Sequence, residues 1–163
     1  MILKIHHTGF VVADLERAVQ FYEGGVGLEV QNRYERQGGP IEQVVGYKDA
    51  HLKIAILGIG GEHVLELIQY VNPAPGQRST SERSVIGGSH LAFAVDDIQA
   101  TYKNLSGAGA KTLNAPISVA PGRTVCYIQD PDGNWLELME LKKEIRLWPA
   151  LCLLCTRRRC KAP

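Results

Sequence analysis

The 163-residue chain has no apolar run approaching the roughly 20 residues that cross a bilayer, so no membrane helix and no membrane partner is expected. It has no surplus of one charge either. Eighteen basic residues stand against 17 acidic ones, a net +1 with histidine neutral, and this removes nucleic acid and acidic lipid as principal partners. The opening residues, Met1-Ile-Leu-Lys-Ile-His6, lack a basic segment followed by an apolar one, so no secretion leader is expected and the cytoplasm is the expected location. Cysteine is sparse and uneven. Cys126 stands alone, while Cys152, Cys155 and Cys160 crowd near the C-terminus, which is not the framework of a disulfide-stapled secreted domain. The rest is ordinary for a soluble globular protein: 45% apolar and 21% charged residues, enough for one compact domain or two half-size modules around a common core.

The chain repeats itself once. His7-Thr-Gly-Phe-Val-Val-Ala-Asp14-Leu returns as His90-Leu-Ala-Phe-Ala-Val-Asp-Asp97-Ile, and each copy runs on to an apolar strand with a carboxylate at its centre. Those strands are Val64-Leu-Glu66-Leu-Ile68 and Trp135-Leu-Glu137-Leu-Met139. In the first half, Ile5–Val12 reads as a strand and Asp14 as the N-cap of a helix over 15–22, with Gly24-Gly25 as its stop. Strands are expected at 28–34, 43–48, 52–57 and 63–70. In the second half, strand 90–95 precedes a helix over 98–105 capped by Asp97, then a short strand at 112–115. A hairpin of 124–129 and 135–141 follows, turning at Asp130-Pro-Asp-Gly-Asn134. The boundaries are therefore a βαβββ module at 1–71, a polar Pro/Gly/Ser linker or lid at 72–88, a second βαβββ module at 89–141 and a tail at 142–163. The tail spacing Cys-x2-Cys-x4-Cys lacks a fourth zinc ligand, and a poorly ordered extension is expected there.

Glu66 and Glu137 each sit in a strand that is apolar on both faces. An ionised carboxylate buried there without a partner costs several kcal/mol, and two in equivalent places point to a shared cation. His7 and His90 begin their strands at equal distances from the capping aspartates. With the glutamates they make a His2Glu2 set of nitrogen and oxygen donors, suited to one divalent ion of nickel, cobalt, manganese, iron or zinc. His6, His51 and His63 have no counterpart in the other half and read as surface or loop residues, His6 facing away from His7.

The string from His7 to Tyr22 with Gly27-Leu28, together with Ser89-His90 to Asp97 and Asp130-Pro-Asp-Gly-Asn-Trp-Leu-Glu137-Leu, resembles the vicinal oxygen chelate superfamily. That group includes glyoxalase I, methylmalonyl-CoA epimerase, extradiol dioxygenases and bleomycin-resistance proteins. The resemblance covers about residues 3–141. It implies an α+β fold of two modules related by pseudo-twofold symmetry, curled around a concave metal-floored pocket, commonly in a homodimer. It also implies that His7, Glu66, His90 and Glu137 are the metal ligands, with Glu66 or Glu137 moving a proton while the metal stabilises an enediolate. Glutamate at 66 favours a glyoxalase I-type lyase or isomerase acting on a small α-oxygenated carbonyl compound or its thiol adduct. The glutathione-recognising features do not carry over: Val11 stands where an arginine would, and no asparagine follows in Leu67-Ile-Gln-Tyr70. An acyl-CoA epimerase and a non-catalytic drug-binding protein are the alternative readings. Arg78, Arg83 and Arg123 are weighed as contacts for an anionic substrate group, against simple solvation.

Overall fold

The computed structural model describes residues 1–142; the expectation for the tail therefore lies outside the described residues. Two separate sheets carry the chain. The first contains β1 (His7–Val11), β2 (Glu29–Gln37), β3 (His51–Gly58) and β4 (Val64–Asn72) in the order β1-β4-β3-β2. The second contains β5 (Leu91–Val95), β6 (Lys111–Thr112), β8 (Arg123–Gln129) and β9 (Trp135–Leu141) in the order β5-β9-β8-β6, with β7 (Ile117–Ala120) also paired to β8. Both sheets mix one parallel pair, β1 with β4 and β5 with β9, with antiparallel neighbours. The expected α+β class is what the chain forms. No described helix is long and apolar enough to cross a membrane.

Each half starts its helix in the same way. Asp14 accepts from the Arg17 amide at the head of α1 (Leu15–Gln20), and Asp97 accepts from the Ala100 amide at the head of α3 (Ile98–Gly107). A second side chain, three residues beyond the strand glutamate, takes the first helical N–H. Gln69 Oε1 receives Leu15 N at 3.0 Å, and Glu140 Oε2 receives Ile98 N at 3.0 Å. Strand and helix are thereby locked in one relative position in both modules.

The apolar core is continuous across the halves. Leu15, Ala18, Val19 and Tyr22 pack with Phe10, Leu57, Leu65 and Leu67, and the same cluster includes Ile98, Leu105, Ile128, Leu136 and Leu138. Asn104 Nδ2 donates to the Gly25 carbonyl at 3.1 Å. Gly25 has little room for a side chain, because a Cβ would lie 3.1 Å from Ala108 Cβ and 3.3 Å from Leu105 Cδ2.

Several expectations for the elements require correction. Gly24-Gly25 does not stop the first helix. The chain continues as a π-helical turn over Phe21–Val26, and Gly27, at φ 86°, ends it. Residues 43–48 are not a strand. Pro40 at the first turn and Gly46 at φ 76° bracket a short helix, α2 (Pro40–Val45), so backbone capping overrides the β preference of Val44-Val45. Strand β7 was not anticipated: its four residues are all exposed and show no alternation. His6 does not face away from His7. It precedes the strand, so strand alternation does not govern it, and its Nδ1 lies 2.8 Å from His7 Nδ1.

Candidate functional site

Each sheet packs one face on its helix, with α1 against β3 and β4 and α3 against β9, and carries its glutamate on the other; in the first sheet that other face is open only in part, since Leu52 and Ile54 on it are buried. On β4, Leu65 and Leu67 enter the core while Glu66 faces the open side; on β9, Leu136 and Leu138 do so and Glu137 faces out. His7 Nε2 lies 3.4 Å from Glu66 Oε2, and His90 Nε2 lies 3.3 Å from Glu137 Oε2. The histidine side chains are 42% and 44% exposed and the glutamates 15% and 14%, so both pairs are sheltered at the carboxylate and open at the imidazole. The near-identity of the two follows from register. Gly9 pairs with Glu66 and Ala92 with Glu137, and the histidine stands two residues before the small residue each time.

Gly9 leaves room beside the Glu66 carboxylate. A Cβ at Gly9 would lie 3.6 Å from Glu66 Oε2 and 3.8 Å from Ile68 Cδ1, so a longer side chain would roof the oxygen that faces His7.

Two tyrosines complete the pairs. Tyr34 donates its hydroxyl to Glu66 Oε1 at 3.2 Å, leaving Oε2 to His7. Tyr127, directly opposite Glu137 in the β8–β9 register, places its hydroxyl 3.4 Å from His90 Nε2, with the two rings edge to face at 5.2 Å. Burial, then the neighbouring Glu66 charge, raises the Tyr34 phenol above its ordinary pKa; burial, then Glu137, does the same for Tyr127. Each tyrosine also carries a guanidinium on its ring, Arg36 at 4.6 Å from the Tyr34 centroid and Arg83 at 4.7 Å from that of Tyr127. Tyr127 was legible in principle, since a turn at 130–134 pairs residue 129 with 135 and so 127 with 137. Tyr34 was not, because it reaches Glu66 from two strands away.

The four sequence-predicted donors fall into two pairs. Among the described residues no group of three or more His, Cys, Asp or Glu side chains is placed to hold one metal ion. The other histidines make local contacts: His63 Nε2 with Thr8 Oγ1 at 3.0 Å, and His51 with Glu35.

The linker lies against the second sheet at several points. Arg78 Nη2 donates to Asn134 Oδ1 at 2.6 Å, Trp135 Nε1 donates to the Ser81 carbonyl at 3.0 Å, and Arg83 stacks on Trp135 at 4.7 Å as well as on Tyr127. The linker also walls two cavities, of about 550 and 270 Å³, that share Val11, Pro75 and Gly76. Of the three arginines weighed from the sequence, Arg83 is the one stacked beside a His–Glu pair. Arg78 serves the 130–134 turn, and Arg123 donates to Met139 Sδ.

Residues 4–138 match the sequence model of the Glyoxalase/Bleomycin resistance protein/Dioxygenase superfamily. A protein of Vibrio cholerae named "Probable lactoylglutathione lyase" is 29% identical over 144 residues, covering 86% of this chain and 92% of its own. The 2-epi-5-epi-valiolone epimerase of Actinomyces sp is 31% identical over 148 residues, covering 85% of this chain and 80% of its own. A crystal structure of a glyoxalase family protein from Bacillus cereus superposes with a TM-score of 0.76 at 22% identity, over 87% of this chain and 97% of that one. At that identity it speaks for the fold alone.

Proposed function

Because the chain belongs to the Glyoxalase/Bleomycin resistance protein/Dioxygenase superfamily, we propose that it is a metal-dependent lyase or isomerase for a small α-oxygenated carbonyl compound or its thiol adduct. The observation that carries this reading is the recurrence of one His–Glu pair, at 3.4 and 3.3 Å, on the open faces of two sheets. Imidazole nitrogen and carboxylate oxygen suit a first-row divalent ion, and the half-exposed imidazoles leave it a way in.

One pair offers two donors, and four are needed for a firm site with positions left for substrate. We therefore assign the missing half to a second copy of the chain, with His7 and Glu66 of one protomer facing His90 and Glu137 of the other. Among the described residues β1 and β5 are the outer strands of their sheets, each hydrogen-bonded on one side; His7 begins β1 and His90 immediately precedes β5. An open edge of this kind favours apposition with another strand. The reading makes modules 1–71 and 89–141 the two half-site carriers of a cytoplasmic homodimer.

A bound divalent ion would supply Lewis-acid polarisation of two adjacent substrate oxygens, which acidifies the neighbouring C–H. The chain's own groups do the rest. Glu66 or Glu137 takes the proton on a carboxylate oxygen and returns it to the adjacent carbon or to the same one. At Glu66 the Tyr34 hydroxyl donates to Oε1 and His7 Nε2 lies beside Oε2, so both oxygens are held in place by neighbours. Gly9 leaves room beside Glu66 Oε2, and Ala92 holds the matching register position opposite Glu137.

The 31% identity to an epimerase favours one second reading, in which the proton returns to the carbon it left. Exchange of solvent deuterium into a substrate α-carbon without net isomerisation selects it. The test of the main reading is elemental analysis of the purified chain with His7→Ala and Glu137→Ala variants. Roughly one ion per chain in the wild type and a sharp fall in both variants is expected; unchanged metal in both overturns it. A wild type that takes up no ion favours a drug-binding role instead.

A further inference from the structure

Arg83 differs from an ordinary surface arginine. Its guanidinium lies 4.7 Å from the ring centroids of both Tyr127 and Trp135. Trp135, Glu137 and, through the β8–β9 register, Tyr127 share the open face of the second sheet, so Arg83 sits over the face that carries the His90–Glu137 pair. Among the described residues no carboxylate lies within ion-pair distance of it.

Its place is fixed by the chain on both sides. Upstream, Ser81 accepts the Trp135 indole N–H. Downstream, Gly88 N closes a tight turn onto the Val85 carbonyl at 2.8 Å. A Cβ at Gly88 would lie 2.5 Å from the Arg83 carbonyl, so only glycine permits the turn that leads from Arg83 to His90. The two rings, their centroids 6.4 Å apart and nearly perpendicular, meet the guanidinium on adjacent sides, while among the described residues its N–H groups have no carboxylate to bind. A planar fork held in this way is arranged for two parallel hydrogen bonds to an oxyanion.

The first half-site carries the same device from a different place. Arg36, on strand β2, lies 4.6 Å from the Tyr34 centroid, and Tyr34 donates to Glu66. The positions do not correspond in the repeat, since one arginine comes from a strand and the other from the linker. Each half nonetheless sets an arginine on the tyrosine that touches its His–Glu pair.

From this arrangement we propose that the substrate carries an oxyanion, a carboxylate or a phosphate, close to its α-oxygenated carbonyl, and that Arg83 is the residue that binds it. The proposal rests on the metal-dependent reading for the reacting end of the substrate, and adds the class of group at the other end. Arg36 would meet a second acidic or polar group from the opposite side of a complete site.

The test is calorimetric titration of the full-length purified protein with three probes: dihydroxyacetone phosphate, hydroxypyruvate and uncharged dihydroxyacetone, with metal content measured on the same samples. At least one anion is expected to bind about tenfold or more tighter than dihydroxyacetone, in line with the strength of a charge-assisted fork. Preference for the phosphate or for the carboxylate probe tells the two sources apart. Arg83→Gln is expected to reduce the preference to within about threefold, and Arg83→Lys to leave an intermediate one, because charge survives and the fork does not. Equal binding of all three probes, absence of binding by both anions, or a preference that survives Arg83→Gln would overturn the proposal. The two readings fail separately. Metal bound without anion preference removes only the oxyanion subsite, whereas an Arg83-dependent preference in a protein that takes up no metal removes only the metal centre.

Discussion

Tyr22 and Asp130, 108 residues apart in sequence, meet in the core at 2.8 Å, the phenol donating to Oδ2 of a fully buried carboxylate. The bond ties the π-helical turn of the first half to the hairpin turn of the second. Asp130 is otherwise satisfied within that turn, by the amides of Asp132 and Asn134 and by Asn134 Nδ2. Tyr22→Phe should cost between about 1 and 3 kcal/mol, since it leaves a buried acceptor short of a donor. Burial, then the Asp130 charge, holds the Tyr22 phenol well above its ordinary pKa. A raised native value means that this contribution is intact through neutral pH and is lost as pH rises from the ordinary tyrosine range to the native value. Urea midpoints at pH 7 and in alkali, for wild type and Tyr22→Phe, check both statements: the variant should be weaker at pH 7 and lose less in alkali.

If two copies complete each other's site, two defective chains can repair one another. A chain with His7→Ala and Glu66→Ala, mixed with one carrying His90→Ala and Glu137→Ala, should form a hybrid with one intact site and one lacking all four donors. Neither parent should hold metal firmly, and the refolded mixture should regain it. A mixture as empty as its parents rejects the two-copy arrangement.

Glu140 receives the first amide of α3 and the Lys142 ammonium at 3.1 Å, and these hold its carboxyl below the usual range. A lowered native pKa gives stability that is present above the ordinary carboxylate value and is lost as pH falls through the native one. Glu140→Gln, which copies the Gln69 arrangement of the first half, should keep the hydrogen bond to Ile98 but lose this dependence. Thermal melting from pH 7 down to pH 3 should show a shallower acid limb for the variant.

Cys126 is 1% exposed, and burial, then the Glu137 charge, pushes its thiol up to about 11. At pH 8 roughly one molecule in a thousand carries the reactive thiolate. Peptide mass spectrometry after brief iodoacetamide treatment should find Cys126 unmodified in the native protein and modified in 6 M (roughly) guanidinium. Rapid native labelling would contradict its burial.

Much of this fold is legible in the sequence. The caps at Asp14 and Asp97 and the glutamate-centred strands depend on local chemistry and on a two-residue period, and both appear where expected. Helix α2 was hidden because Val44-Val45 favours a strand, while the deciding signals, Pro40 and Gly46, lie at its ends. The tyrosines and the stacked arginines were hidden for another reason. Tyr34 and Arg36 share β2, and Tyr34 reaches Glu66 across β3, which takes a register that no local pattern prints. The pairing of donors two by two was hidden most deeply, since a repeat shows equivalence of positions and not which positions come together.

The linker's fastenings to Asn134 and Trp135 separate two kinds of heritable change. The groups proposed to move the proton and hold the ion sit in strands or at their heads, where a slip of one residue turns every side chain over. The arginine that would choose among molecules rides on a strap outside the sheets, where lengthening costs little. Such a chain can acquire a new preference by editing the strap while its reactive floor stays as it was.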